Sequence, residues 1–338
     1  MKKMVIGAVI AAAVAVTATA SFADKLDDVK AKGFVACGVT EGLSGFSLPD
    51  ANNEWSGIDV DYCRAVASAV FGDPKAVRVI PTTSTNRWQM LTSGEVDILA
   101  RTSTWTMQRD AELGVDFIGT LVYDGQGFLV KKSAGIKSAL ELGGAALCIE
   151  QGTTTELNAA DYFATNNLEY TPVTFVGQAE VLKALEDGRC DAMTSDSTQL
   201  AANRSAFADP SAYDILPEII SKEPLAPLVA QGDARWADIA KWTLFALINS
   251  EELGVSSANV DEMLASDNPE IRRLLGVEGD FGAYVGLSKD WAYNIVKGVG
   301  NYGELWERNV GESTPIGLPR GLNALWKDGG IMYAPPIR

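Results

Sequence analysis

LARTSTWTMQRD, Leu99 to Asp110, joins the end of a strand to the start of a helix through four hydroxyl side chains. The run before it, Gly94-Glu-Val-Asp-Ile-Leu-Ala100, alternates polar and apolar residues and ends in residues of the buried kind. That pattern predicts a strand over Glu95–Arg101 in a parallel sheet, its C-terminal end delivered into a cleft. Thr102, Ser103, Thr104 and Thr106 follow, and Arg109 comes on the next helical turn. Hydroxyl donors beside a planar guanidinium make a receptor for a carboxylate.

The same rhythm extends on both sides. Upstream, Phe34–Val39 reads as a strand, Thr40–Gly45 as a glycine-rich loop and Asn52–Gly57 as a turn. Ile58–Phe71 repeats apolar residues at helical spacing and stops at Gly72; Val77–Ile80 is a second strand and Asn86–Thr92 a short helix. Strands alternating with helices predict an α/β fold with parallel sheets, whose ligands sit beyond the carboxyl ends of the strands. Thr40, Ser84 and Thr102–Thr104 occupy such ends. Downstream, after the strand Val115–Ile118, Tyr123–Gly127 reads as a crossover into a second series. Its strands are Ala145–Ile149, Tyr170–Val176 and Cys190–Thr194, with helices over Gly152–Thr165, Ala179–Asp187 and Gln199–Phe207. Glu223–Leu228 reads as the return, Trp236–Ile248 as an amphipathic helix, and the chain from about Ser256 as helical. The expected architecture is therefore two lobes: 24–126 plus 225–338, with a helical C-terminal extension, and 127–224. Two crossovers predict a hinge with a cleft, the place where ligand pockets concentrate.

Composition narrows the function. Lys2 and Lys3 precede the apolar run Met4–Val16 and the small residues ending Ser21-Phe22-Ala23, the pattern of a secretory signal peptide cleaved after Ala23. No later stretch is long and apolar enough to cross a bilayer. The formal charge of −16 becomes −18 without the two lysines of residues 1–23, which argues against nucleic acid and anionic lipid as partners. Histidine is absent, removing the commonest metal ligand and the commonest general base at neutral pH. No metal or cofactor is expected. The four cysteines, Cys37, Cys63, Cys148 and Cys190, lack CxxC spacing, and an even number in an exported chain favours two disulfides. Three connectivities and free thiols all remain open; the favoured pairs are Cys37–Cys63, strand to following helix, and Cys148–Cys190, strand to strand.

Two further stretches bear on the cleft. In Gly152-Thr-Thr-Thr-Glu156, Thr153 and Glu156 have the spacing of a capping box. That is either a structural cap alone or, in addition, a helix N-terminus offered to an anion with Thr154 facing the cleft. In Gly188-Arg-Cys-Asp-Ala-Met-Thr-Ser-Asp196, Asp191 reads as a solvated or capping acid, whereas Asp196 ends the strand where an ammonium group would lie.

Gly57-Ile-Asp-Val-Asp61, Gly94-Glu-Val-Asp97, Thr104-Trp-Thr-Met-Gln-Arg109, Gln151-Gly-Thr-Thr154 and Gly188-Arg-Cys-Asp191 stand in the order and spacing of one family. The chain resembles the periplasmic substrate-binding proteins of polar amino acid ABC transporters, the extracellular solute-binding proteins of family 3. RTSTWT, GTTTEL, the C-terminal extension and the paired cysteines resemble its general L-amino acid branch, which takes glutamate, glutamine, aspartate and asparagine. The resemblance covers the whole mature chain and implies the two-lobed Venus-flytrap fold. It also implies that Arg109 takes the ligand α-carboxylate, aided by Thr102, Thr104, Thr153 and Thr154, and that Asp196 takes the α-ammonium. Ser84 and Arg87, in Ser84-Thr-Asn-Arg87, and Gln178 are implied to meet the ligand side chain; the plain alternative for Arg87 is a solvated helix charge. Leu43 stands where the family often has an aromatic lid, and Thr40 where strict glutamate/aspartate binders carry a cation, which suits a broader pocket. Arg101 is ambiguous, and Trp105 is expected to pack the lobe.

The leading expectation is a monomeric periplasmic binding module, not an enzyme, that delivers L-amino acids to an inner-membrane ABC permease. The alternative is an exported lyase of the cyclohexadienyl dehydratase kind on the same fold, in which Glu41 or Glu150 would have to supply acid–base chemistry. A detached sensor lobe is the third possibility.

Overall fold

A computed structural model describes residues 24–338; the expected signal peptide lies outside the described residues. In chain order the first sheet receives β1 (Val35–Val39), β2 (Val77–Pro81), β3 (Ile98–Leu99) and β4 (Val115–Phe117). β5 (Val122–Asp124) leaves it. The second sheet is made of β6 (Gln126–Lys131), β7 (Ala146–Glu150), β8 (Thr171–Phe175), β9 (Ala192–Asp196) and β10 (Tyr213–Ile215). β11 (Glu223–Leu225) returns, and β12 (Leu228–Ala230) completes the first sheet. The strand orders are β2-β1-β3-β12-β4 and β8-β7-β9-β6-β10, and β5 pairs only with β11.

The sheets are mixed rather than wholly parallel. β1 runs parallel to β2 and β3, and β7 parallel to β8 and β9. The strand fed by each crossover, β12 or β6, runs against its neighbours. The register gives the reason: Leu228 at the start of β12 faces Leu99 at the end of β3, and Gln126 at the start of β6 faces Asp196 at the end of β9. A chain arriving from the hinge enters each sheet where the parallel strands finish, so it must run the opposite way.

β3 spans two residues rather than the seven expected: the Asp97 N–H still donates to the Ala36 carbonyl of β1 at 2.8 Å, but its carbonyl is drawn off the sheet. Its buried carboxylate accepts from the Ala36 N–H at 2.8 Å and pairs with Lys25 and Lys32, and its carbonyl accepts from the Trp236 indole at 2.8 Å. The helix Ile58–Phe71 forms as its periodicity predicts and is buried along most of its length. It starts at Gly57, where φ is +129° and an added Cβ would lie 2.1 Å from the Phe46 carbonyl oxygen. Both disulfides form in the favoured pairing. Cys37–Cys63 ties β1 to that helix; Cys148–Cys190 ties β7 to a residue two positions before β9 rather than to β9 itself.

The C-terminal residues Trp291, Ile295, Trp306, Leu325 and Met332 share one buried cluster with β1 and the Ile58–Phe71 helix. The extension is thus part of the first-lobe core. Its α-helices end with Tyr302–Asn309, and only the short 3-10 turns Gly321–Asn323 and Trp326–Asp328 follow, short of the expected helical tail. Beyond that point glycine and proline recur, and the chain closes on isolated bridges, Gly311 with Leu318 and Leu325 with Met332.

Asp97→Ala strips an acceptor from the buried Ala36 N–H, so the expected loss is about 1–3 kcal/mol of stability, read as a lower urea midpoint with unchanged slope.

Candidate functional site

The loop after β3 carries the sharpest local geometry in the cleft. Thr102 holds φ +38°, a left-handed conformation that a β-branched residue adopts only under constraint. The buried Asp59 carboxyl faces its N–H. Thr106 then caps the helix Met107–Glu112, its hydroxyl accepting from the Arg109 N–H at 3.3 Å. Between these fixed points the loop turns Thr102, Thr104 and Arg109 toward the second lobe, and the Arg109 guanidinium donates to the Thr104 carbonyl at 3.0 Å. Trp105 stacks on Phe117 with ring centres 5.5 Å apart, packing the lobe as expected.

An interlobe cavity brings seven of the nine expected ligand-binding residues together. Arg87, Thr102, Thr104 and Arg109 line it from the first lobe, and Thr153, Thr154 and Asp196 from the second. The other two stand apart. Ser84 is fully buried and its hydroxyl donates to the Gln151 carbonyl at 2.9 Å, so it clasps lobe to lobe. Gln178 lines an adjoining cavity of about 360 Å³, together with Glu41, Leu43 and Glu180. Arg87 is no solvated helix charge: it is 2% exposed and donates to the Ser103 hydroxyl at 3.2 Å and, across the cleft, to the Gly152 carbonyl at 3.3 Å.

The electrostatics are unbalanced residue by residue. Burial, then repulsion from Arg101 and Arg109, pulls the Arg87 guanidinium well below its usual range; burial does the same, less strongly, to Arg109. The Trp88 ring lies 4.4 Å from the Arg87 guanidinium and 5.2 Å from that of Arg109, a partial cation–π counterweight. On the facing wall, burial and the charges of Asp124 and Glu223 push Asp196 well above the carboxylate range. Its carboxylate accepts from the Gln199 amide. Among the described residues, Arg87, Arg109 and Asp196 form no ion pair, whereas Arg101 pairs with Glu150 across the cleft at 3.3 Å. Two guanidiniums and a carboxylate thus share a closed cavity without partners of opposite charge, an arrangement that a zwitterion would complete.

Several groups differ from what their local sequence predicts. The expected capping box does not form. Thr154, not Thr153, is the N-cap of the helix Thr155–Thr165; the Thr153 hydroxyl donates to the Glu150 carbonyl at 2.7 Å, and Glu156 accepts from the Gly152 N–H at 2.9 Å. Gly152, at φ +73°, bends the chain back so that its carbonyl reaches Arg87, and this turn displaces the helix start. Asp191 accepts from the Ala146 N–H, a cap at the strand start as expected. Thr194 and Gln199 carry no signal in the sequence beyond their polarity, because their roles follow from partners distant along the chain, whereas Ser103 stands in the hydroxyl-rich stretch and turns out to serve Arg87. Glu150 carried one: it ends a strand at the cleft.

The profile of the bacterial extracellular solute-binding proteins of family 3 matches residues 35–258. The chain is 57% identical, over the full length of both, to the general L-amino acid-binding periplasmic protein AapJ of Rhizobium johnstonii. It is 52% identical, over 96% of each chain, to the glutamate/glutamine/aspartate/asparagine-binding protein BztA of Rhodobacter capsulatus. A solved periplasmic binding protein of Brucella ovis, with glutathione bound, superposes with a TM-score of 0.92 at 56% identity, covering 94% of this chain and all of that one.

Burial raises Asp59 from 3.8 to about 7. The folded state therefore keeps a proton that the unfolded chain releases, and the contribution of this group to stability falls as pH rises from about 4 to about 7. Asp59→Asn, which retains an acceptor for the Thr102 N–H, is expected to flatten that part of the profile; subtracting the variant and parental melting curves across this range isolates the effect.

Proposed function

The chain belongs to the bacterial extracellular solute-binding proteins of family 3, and from that premise we propose that it is the periplasmic binding component of an ABC importer for L-amino acids. The observation that carries the reading is the opposition of unpaired Arg109 and Asp196 across one interlobe cavity. An α-amino acid supplies both missing charges at once. Its α-carboxylate meets the Arg109 guanidinium, with the Thr102 and Thr104 hydroxyls and the N-terminal turn at Thr153 and Thr154 as further donors. Its α-ammonium meets Asp196, where the neighbouring Asp124 and Glu223 deepen the negative potential.

Arg87 adds positive potential toward the ligand side chain; its outer nitrogens donate to Ser103 and Gly152, and its buried Nε–H has no partner among the described residues. Gln178 borders the outer cavity, and Ser84 contributes by holding the lobes closed rather than by touching ligand. The absence of a cation at Thr40 suits a pocket that admits amides as well as acids. Relatives named for general L-amino acids and for the glutamate/glutamine/aspartate/asparagine set support that breadth, and the glutathione in the Brucella ovis structure supports ligands longer than a single amino acid. The relatives are named as binding proteins, which favours transport over catalysis. The closed form would hand its ligand to an inner-membrane permease, with the binding protein acting as a monomer.

Calorimetric titration with the twenty L-amino acids tests the assignment. Saturable binding of the acidic and amide amino acids is expected, and silence toward all twenty overturns it. Arg109→Ala and Asp196→Ala each leave a ligand charge buried without its partner, so each should weaken binding by about 2–5 kcal/mol, chiefly through faster release.

A further inference from the structure

The geometry points to Arg101 and Glu150 as a selector that reads the far end of the ligand side chain and opens onto a second chamber for ligands extended through an amide bond. The inference rests on the amino-acid reading above. It starts from the shape of the cleft: the two cavities share Arg101, Thr102, Glu150 and Gln199 as common lining. A side chain projecting from a ligand anchored on Arg109 and Asp196 has that shared wall as its way out.

The two groups there form a fixed donor beside a fixed acceptor. Arg101 is buried, and its Nε–H donates to the Thr82 carbonyl at 3.1 Å, which holds the guanidinium plane. Its outer nitrogen reaches the Glu150 carboxylate, 3.3 Å away on the other lobe. The Glu150 backbone is held in turn, because its carbonyl accepts from the Thr153 hydroxyl, and its carboxylate is held by Arg101 itself. A carboxamide matches such a pair on both sides, its oxygen toward Arg101 and its N–H toward Glu150. A carboxylate satisfies Arg101 alone and faces Glu150 as a like charge. Arg87 does not fill this role, since it lines the inner cavity but not the wall that the two cavities share.

An amide substituted on nitrogen keeps one N–H for Glu150 and sends its substituent onward into the outer chamber of about 360 Å³. Gln178 lines that chamber, and its amide nitrogen, buried without a hydrogen-bond partner, would donate to a carbonyl of the extension once the side chain turns into the chamber. The chemical class selected is therefore side-chain amides of acidic amino acids, including γ-glutamyl amides.

The test is calorimetry with L-glutamine, L-glutamate and γ-L-glutamylglycine on the purified, ligand-stripped protein and three variants, each checked by thermal melting. Glu150→Gln, which preserves shape, should move the glutamate-to-glutamine affinity ratio toward glutamate by about tenfold, and Arg101→Gln should move it the opposite way by a similar factor. Ala179→Phe, filling the outer chamber, should weaken γ-L-glutamylglycine by about tenfold while glutamine stays within about threefold. If both pair variants weaken glutamate and glutamine in equal proportion, the pair is an interlobe clasp and the selector is wrong. Should Arg101→Gln fail to fold, the isosteric Glu150→Gln decides alone. A parent protein that binds glutamine but not the dipeptide, or a dipeptide indifferent to Ala179→Phe, removes the second chamber. A parent that binds no amino acid at all strikes the transport reading instead.

Discussion

A guanidinium does not give up its proton under any condition in which this chain is folded, so each buried arginine must find negative charge or distort its surroundings. Arg87, Arg101 and Arg109 converge on one cleft and repel one another there. Arg101 answers the demand with Glu150; the other two share the face of Trp88 and lean on backbone carbonyls. On the opposite wall, burial and neighbouring acids work against an ionised Asp196. The closed cleft is therefore a space in which charge of both signs is held apart, and a small zwitterion relieves both sides together. Binding of this kind draws its strength from groups that the fold has already desolvated, not from newly buried apolar area.

The hinge belongs to the same electrostatic system. Glu223 and Asp124 face each other in register on β11 and β5. Glu223 accepts from the Thr154 hydroxyl at 3.0 Å and the Asn158 amide at 2.6 Å, at the start of the helix Thr155–Thr165. Asp124 accepts from the hydroxyls and one N–H of Ser197 and Thr198, at the start of the helix Ser197–Ala206. Each hinge strand thus grips the positive end of a second-lobe helix. The two acids that anchor the hinge also set the potential at Asp196, so the joint and the binding wall are built from the same carboxylates.

The architecture was legible in the sequence wherever a pattern is local. Ile58–Phe71 announced its helix through its own spacing, and the two crossovers announced themselves by glycine and proline between apolar runs. The strand before the hydroxyl-rich loop is shorter than its pattern predicts, and the role of Asp97 there depends on Lys25, Lys32, Ala36 and Trp236, none of them local to it. The site divides the same way. Arg109 and Asp196 stood out as strand-end and helix-start residues, and a resemblance placed them together. Arg101 stayed ambiguous because its partner is 49 residues away on the other lobe, a relation that no window of sequence contains. The supposed capping box failed for a related reason: Gly152 is recruited by Arg87, and a long-range contact outranked a local motif.

The pairing of β5 with β11 has a consequence in time rather than in energy. The inner cavity is walled by both lobes, and Ser84 to Gln151, Arg87 to Gly152 and Arg101 to Glu150 all bridge it. Nothing seated there leaves by sliding past a flexible loop; these bridges must part together as the lobes swing on two short strands. The residence time of a captured molecule is then the lifetime of the closed conformation itself. A membrane partner that pries the lobes apart would thereby act as a clock, setting the moment of release for whatever the cleft has gathered.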